Sequence, residues 1–317
     1  MAVTIAVLSQ KGGTGKTTLT RSLAEGLSLA GLKTLAVDSD PQGNLSEYFA
    51  VPADAFPTLG EVLTGEETAM DAALQAGVLP ANLGLAEAEL ILAGKPDREL
   101  TLRNALREPK RNFDVILIDC PPTLGLLTVN ALVASDRAIL SSEAEHFSKQ
   151  GAEQAMQVIG LARENLNPSL ELLGVLLNIV DMRTKHAKST LESLREEFGD
   201  TVFETVIGRS IAYPESARAG QSIFEFDRRR ALDYANLTVE VLERLGLEES
   251  LKKARRVAKD LQSKPRRKTP RPRSGPTEPD VVAPVGSDPG DPPSTRSNGS
   301  PGTEETEWAW VETAPDS

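Results

Sequence analysis

The passage from residue 8 to residue 18 constrains this chain more than any other. It reads Leu-Ser-Gln-Lys-Gly-Gly-Thr-Gly-Lys-Thr-Thr, directly after the β-branched apolar run Val3-Thr4-Ile5-Ala6-Val7 and directly before a helical pattern from Leu19 to Leu29. A glycine-rich turn between an apolar strand and a helix is a cradle for polyphosphate. Gly12, Gly13 and Gly15, with Thr14 between them, let successive backbone N–H groups turn inward on the anion. Lys16 reaches the outer phosphates, the Thr17 hydroxyl can ligate Mg²⁺, and Thr18 continues into a helix whose N-terminal end is positive. The usual pattern has a glycine where this chain has Gln10, and a second lysine, Lys11, comes next. Past Gly12 and Gly13, Lys11 cannot easily fold back onto the phosphates of its own subunit. It is either solvated or directed at a nucleotide on a neighbouring chain, and the second reading is adopted.

Short apolar runs alternate with helical patterns after that loop. The runs span 34–38, 113–119, 137–140, 172–177 and 202–207, and apolar spacing of 3.6 residues marks helices at 16–30, 124–134, 149–165, 188–198 and 234–245. Continuous apolar runs belong to strands covered on both faces. The expected fold is therefore α/β, a doubly wound and mostly parallel sheet with helices on both faces, of the phosphate-loop NTPase kind. Residues 50–110 are less regular, with a short strand expected near 83–85.

In such a sheet ligands sit beyond the carboxyl ends of the strands, so acids closing apolar runs are candidates for the site. Asp119 closes one run and suits a carboxylate that holds a metal-bound water. Asp38 closes another, and Asp40 projects into the loop that follows, where it can orient the attacking water of a hydrolysis. The blander role for both is to cap the next helix. Cys120 has no histidine near it in sequence and reads as a buried small apolar residue. His146 and His186 have no partner at metal-ligand spacing.

Composition decides how much of the chain folds. Of 317 residues 39% are hydrophobic, but from about residue 264 Pro, Ser, Gly, Thr and charge dominate, so residues 1–262 are expected as one domain and 263–317 as a disordered tail. Net charge is −11; residues 252–273 carry eleven Lys/Arg and one acid, whereas 274–317 carry nine acids and one arginine. Bulk charge therefore cannot bind nucleic acid, and any such contact must be local. One cysteine excludes a disulfide framework. With no signal peptide and no long apolar run, a cytoplasmic setting is expected.

Three motifs in series, Gln10-Lys11-Gly12-Gly13-Thr14-Gly15-Lys16-Thr17-Thr18, Asp38-Ser39-Asp40-Pro41-Gln42-Gly43-Asn44 and Ile118-Asp119-Cys120-Pro121-Pro122-Thr123-Leu124-Gly125, closely resemble the ParA/Soj family of DNA-partitioning ATPases. The resemblance continues through Gly174-Val175-Leu176-Leu177, Asp181-Met182-Arg183-Thr184 and Pro214-Glu215-Ser216-Ala217, and so covers about residues 1–245. It implies ATP and Mg²⁺ as cofactors, a dimer that sandwiches two nucleotides, sequence-blind binding of duplex DNA by that dimer, and a ParB-type partner that stimulates slow hydrolysis. Under it Lys11 is the signature lysine that reaches the other subunit's nucleotide, and segments 38–44 and 119–125 are the two switches that sense the terminal phosphate. Relatives commonly carry Ile-Pro-Arg-Asn where this chain has Ile207-Gly208-Arg209-Ser210; Asn178, at a strand end, is placed near the base.

The resemblance implies DNA contacts in the C-terminal third, at Lys185, Lys188, Arg195, Arg209 and Arg218, and nucleoid association. Two alternatives share the same chemistry. One is a MinD-like ATPase held to a membrane surface by a helix presenting Leu247, Leu251, Ala254, Val257, Ala258 and Leu261 among basic residues. The other is a ParA-like ATPase that positions a protein cargo on the nucleoid. Near the end, Glu304-Glu305-Thr306-Glu307-Trp308-Ala309-Trp310-Val311-Glu312 could serve as a docking peptide or fold back on the basic stretch.

Overall fold

Side chains of the first strand, β1 (Val3–Ser9), alternate between two apolar layers, and that alternation sets the architecture. Ile5 and Val7 enter one layer with Leu19, Leu23, Leu27, Leu237 and Val241; Ala6 and Leu8 enter the other with Leu127, Ala131, Leu132 and Ile159. The structure, a computed structural model, describes residues 2–9, 11–52, 54–73, 77–143 and 149–263. The expected tail from residue 264, the tryptophan-bearing segment, Gln10 and His146 lie outside the described residues.

After β1 come α1 (Lys16–Leu29), β2 (Thr34–Asp38), α2 (Asn44–Tyr48), α3 (Leu59–Thr64), α4 (Ala69–Ala73), β3 (Val78–Leu79), α5 (Gly84–Ala93), α6 (Thr101–Ala105), α7 (Pro109–Asn112) and β4 (Val115–Asp119). There follow α8 (Leu126–Ala134), β5 (Arg137–Glu143), α9 (Lys149–Asn165), β6 (Glu171–Asn178), α10 (Lys185–Phe198), α11 (Ala212–Arg218), α12 (Ile223–Phe226), α13 (Arg228–Leu245) and α14 (Glu248–Ser263). The sheet runs β3-β2-β4-β1-β5-β6 with every pairing parallel, which is the doubly wound fold read from the sequence. Strand order reverses on either side of β1. The loop after β1 thus lies at the switch point, where ligands bind in such sheets.

Two expected strands are corrected. The one near 83–85 is instead β3, which pairs Val78 and Leu79 with Ala36 and Val37 of β2. Asn82 accepts a hydrogen bond from the Gly84 amide at 2.9 Å and turns the chain into α5, whose Leu85, Ala88 and Leu92 are buried at helical spacing. Leu83 is left 71% exposed at the helix start.

Residues 202–207 form no strand either. They touch β6 through isolated bridges, Val175 to Val202 and, beyond them, Val180 to Gly208. Two amides of this segment still reach β6, Phe203 to the Val175 carbonyl (2.9 Å) and Ile207 to the Leu177 carbonyl (3.1 Å), and side chains of α13 take up others. Glu240 accepts from the amides of Glu204 (2.8 Å) and Thr205 (3.1 Å), while the Arg244 guanidinium donates to the carbonyls of Leu173, Thr201 and Val202 at 2.7–2.9 Å. Arg244 also lies 4.1 Å from the Phe203 ring centroid.

The basic helix at the end of the described chain is present as α14, and its apolar face is already covered. Leu251 and Ala254 pack into the layer built on α1 and α13, Ala258 is buried, and Arg255 pairs with Glu243 of α13 at 2.6 Å. A lipid surface would have to displace that packing. No helix of the described residues is long and apolar enough to cross a membrane.

Replacing Arg244 by Met keeps the stem but strands carbonyls that it now satisfies. It is expected to cost about 2 kcal/mol of unfolding free energy in a denaturant titration and to speed amide exchange at 202–207. Unchanged stability would show that water replaces the guanidinium without loss.

Candidate nucleotide site

The loop between β1 and α1 is held open by backbone geometry and by a strut beneath it. Gly13 and Gly15 have φ of +80° and +74°, in the left-handed region that disfavours a side chain. A Cβ at Gly15 would also meet Asn178 Nδ2 at 2.9 Å and Ile179 Cδ1 at 3.0 Å, so both space and conformation require glycine there. Asn178, expected beside the base, lines the cleft, but its amide is spent under the loop. Nδ2 donates to the Thr14 carbonyl at 2.9 Å and to Ser141 Oγ at 3.2 Å, and Oδ1 accepts from the Ile179 amide at 2.9 Å.

Two lysines share the loop and differ in environment. Lys16 is buried, with Nζ 3.0 Å from Ser9 Oγ and 3.5 Å from the Lys11 carbonyl. The Lys11 carbonyl also accepts from Ser9 Oγ at 2.7 Å and from Thr14 Oγ1 at 3.4 Å. Its backbone is fixed from three sides, whereas its ammonium is exposed and makes no ion pair among the described residues.

The acids at the strand ends form the opposing charge. Asp38 and Asp119 are register partners of β2 and β4, and both are buried. Burial, reinforced by Asp38, lifts Asp119 to about 7, even though Lys16 and a hydrogen bond from Thr17 favour its charged form. Burial likewise lifts Asp38 to about 6. Asp38 reaches the first turn of α2 although the N-cap there is Gly43: one oxygen accepts from the Ser46 amide (2.9 Å) and hydroxyl (2.8 Å) in α2, the other from the Asp40 amide (3.2 Å). Asp40 is half-buried and lines the cleft, and its Oδ1 accepts from the Gln42 amide at 3.0 Å. Cys120 is fully buried and its thiol is pushed far above the ordinary value, as suits an inert packing residue.

A cleft of about 460 Å³ is lined by Gly12, Gly13, Gly15, Lys16, Thr17, Thr18 and Asp40 at the loop end. Sequence reasoning missed its other wall. Tyr48, Ser210, Tyr213, Pro214 and Tyr234 line it, brought from α2, α11, α13 and the segment before α11. Pro214 lay in a quoted motif and Ser210 in a noted departure. Isolated tyrosines carry no periodic signal.

The cations expected to meet DNA are exposed but not equally free. Arg195 pairs with Glu204 at 2.6 Å and Arg209 with Glu143 at 3.3 Å. Lys185 and Lys188, three residues apart on α10, and Arg218 at the end of α11 make no ion pair among the described residues.

The residues present fit a magnesium nucleotide: glycines in the left-handed region shape the loop, a buried ammonium makes no ion pair among the described residues, and a hydroxyl sits beside a buried acid. A family model described as an AAA domain matches residues 2–172. The sporulation initiation inhibitor protein Soj of Bacillus subtilis is 36% identical over 249 residues, covering 76% of this chain and 98% of Soj.

The chain belongs to the ParA/Soj family of ATPases.

The chromosome partitioning protein ParA of Caulobacter vibrioides is 36% identical over 250 residues, covering 76% of this chain and 94% of that protein. Among solved structures, cobyrinic acid a,c-diamide synthase from Mycobacterium smegmatis, with bound ADP and magnesium, superposes at a TM-score of 0.63 and 35% identity over 71% of this chain and 96% of its own. The septum site-determining protein MinD of Pyrococcus horikoshii, complexed with Mg-ADP, gives 0.63 at 27% identity over 78% of this chain and 99% of its own. As a ParA/Soj protein the chain takes ATP and Mg²⁺ as cofactors.

Because the folded state raises Asp119 from 3.8 to about 7, it holds that proton more tightly than the unfolded chain, and stability falls as pH rises through this window. Asp119→Asn removes the cost. The nucleotide-free variant is expected to melt above the parent at pH 8, with the gap closing toward pH 4, while losing the extra stability that Mg²⁺ with nucleotide confers. A variant that melts below the parent at pH 8 would contradict this account.

Proposed function

We propose that this chain is an ATP-dependent DNA-segregation ATPase. In its ATP state two copies close face to face over two nucleotides and grip duplex DNA without regard to sequence; a ParB-type partner then stimulates hydrolysis and release. Its place of action is the nucleoid in the cytoplasm. The observation that carries the reading is the environment of Lys11, whose carbonyl is tied down three times while its ammonium stands exposed and uncommitted. Among the described residues lining the cleft, Lys16 is the sole cation. In this reading a second cationic side chain comes from the other subunit, and that part falls to Lys11 of the partner subunit.

Within one subunit, amides from Gly12 to Thr18 and the Lys16 ammonium hold the phosphates, Thr17 is the metal ligand, and Asp119 accepts from it and supports the metal's outer sphere. Mg²⁺, when bound, neutralises charge that builds on the phosphate oxygens in transfer. Asp40 positions the attacking water. Its loop hangs from Asp38, so movement of segment 38–44 moves that carboxylate. Asn178 keeps the loop carbonyls turned away from the anion. A lone subunit lacks the second cation, so turnover is slow until assembly and the activator complete the site.

For DNA, Lys185, Lys188 and Arg218 are the free cations, and Arg195 and Arg209 join once their acids are displaced. The test is retention of linear duplexes of unrelated sequence with ATP or ADP across a salt series. ATP-dependent, sequence-blind retention that falls steeply with salt is expected, and Lys185→Glu with Lys188→Glu should flatten the salt slope by about two. Equal retention in ADP, or preference for one sequence, would overturn the proposal.

A further inference from the structure

The chain has three tyrosines in 317 residues, and all three line the nucleotide cleft, whereas none of the seven phenylalanines among the described residues does. Tyr213 and Tyr234 are buried and meet edge to face, with centroids 5.7 Å apart. Tyr48 differs. It is half-buried at the end of α2, and the guanidinium of Arg21 lies 5.7 Å from its ring centroid. Arg21 is itself 7% exposed and held on its other sides, with Nη2 donating to the Gln221 carbonyl at 3.0 Å and Nε to Glu25 at 3.1 Å. Glu25 in turn accepts from Ser222 Oγ at 2.7 Å. A buried arginine anchored at two points, the Gln221 carbonyl and Glu25, thus lies over the ring of Tyr48, which itself lines the cleft.

The position suits a base. Phosphates are held at the start of α1, by Lys16, Thr17 and Thr18. Arg21 stands just over one helical turn further along, about 6 Å from Thr17, and Ser22 beside it hydrogen-bonds Tyr234. The tyrosine wall therefore belongs to the same cleft as the residues that hold the phosphates. A cation behind an aromatic ring also fixes the ring plane, and a fixed ring loses little freedom when a second π-system stacks on it.

We infer that Tyr48 is the platform on which the nucleobase stacks, and that Arg21 is a positioning residue that holds this ring from behind. The inference rests on nucleotide occupying this cleft. Stacking reads a π-face and not a hydrogen-bonding edge, so Tyr48 adds affinity for a nucleoside phosphate and none for the phosphates alone.

The test compares dissociation constants of Mg-ADP and of inorganic pyrophosphate with Mg²⁺, measured by displacement of a fluorescent nucleotide. Tyr48→Ala is expected to weaken ADP about tenfold and leave pyrophosphate unchanged, which also shows that the variant folds with its phosphate loop intact. Tyr48→Phe should bind both as the parent does, and Arg21→Gln should weaken ADP severalfold without affecting pyrophosphate. Parental ADP affinity in Tyr48→Ala, or an equal loss for both ligands, overturns the platform; parental ADP affinity in Arg21→Gln overturns the positioning role. Lys16→Ala separates the two levels, because unchanged binding of both ligands there would mean that nucleotide sits elsewhere.

Discussion

Two buried carboxylates close adjacent parallel strands next to a loop that holds one buried ammonium, and the rest of the molecule is arranged around that end of the sheet. The register of β1, β4 and β2 sets Asp119 beside Val7 and Asp38 beside Asp119, so the loop after Ser9 must pass over both acids. In a dry sheet end, unpaired ionised groups are costly, and one lysine cannot balance two carboxylates. Burial is the main cause of the raised values of Asp38 and Asp119; at Asp119 repulsion from Asp38 adds to it and Lys16 opposes it. Bound Mg²⁺ brings positive charge beside these acids, so ligand binding and folding stability are linked through the same few atoms.

That imbalance also explains why the loop carries two lysines with different fates. Lys16 is drawn into the subunit by the acids and by Ser9. Lys11 has its backbone spent on shaping the turn, and its side chain is turned out to the surface where another copy can meet it. The free cations of α10 and α11 invite a similar reading, since exposed pairs such as Arg195 with Glu204 contribute little stability and yield readily to phosphates. Reaching duplex DNA with Lys185, Lys188 and Arg218 requires no rearrangement of the core.

Features written in local chemistry were legible in the sequence. The phosphate loop, Asp119 at its strand end and the parallel sheet follow from runs of neighbouring residues whose types the backbone demands. Features made by distant partners were not. Residues 202–207 have the β-branched composition of a strand, yet Glu240 and Arg244 of a helix some forty residues later capture several of their backbone groups. Leu83 to Leu85 look like strand and become the start of α5, because the Asn82 side chain turns the chain. Asn178 closes an apolar run as a ligand contact would, but its neighbours in space are loop carbonyls. Tyr48 acquires meaning only from Arg21, which no spacing rule connects to it.

The measurement that bears most directly on the central claim is sedimentation equilibrium of the full chain with Mg²⁺ and a non-hydrolysable ATP analogue, alongside Lys11→Ala. The account predicts that the parent doubles its mass with the analogue and not with ADP, whereas the variant binds nucleotide as tightly and stays single. A variant that dimerises as the parent does would contradict a lysine acting across the interface, and a parent that stays single at saturation would contradict the two-nucleotide dimer itself.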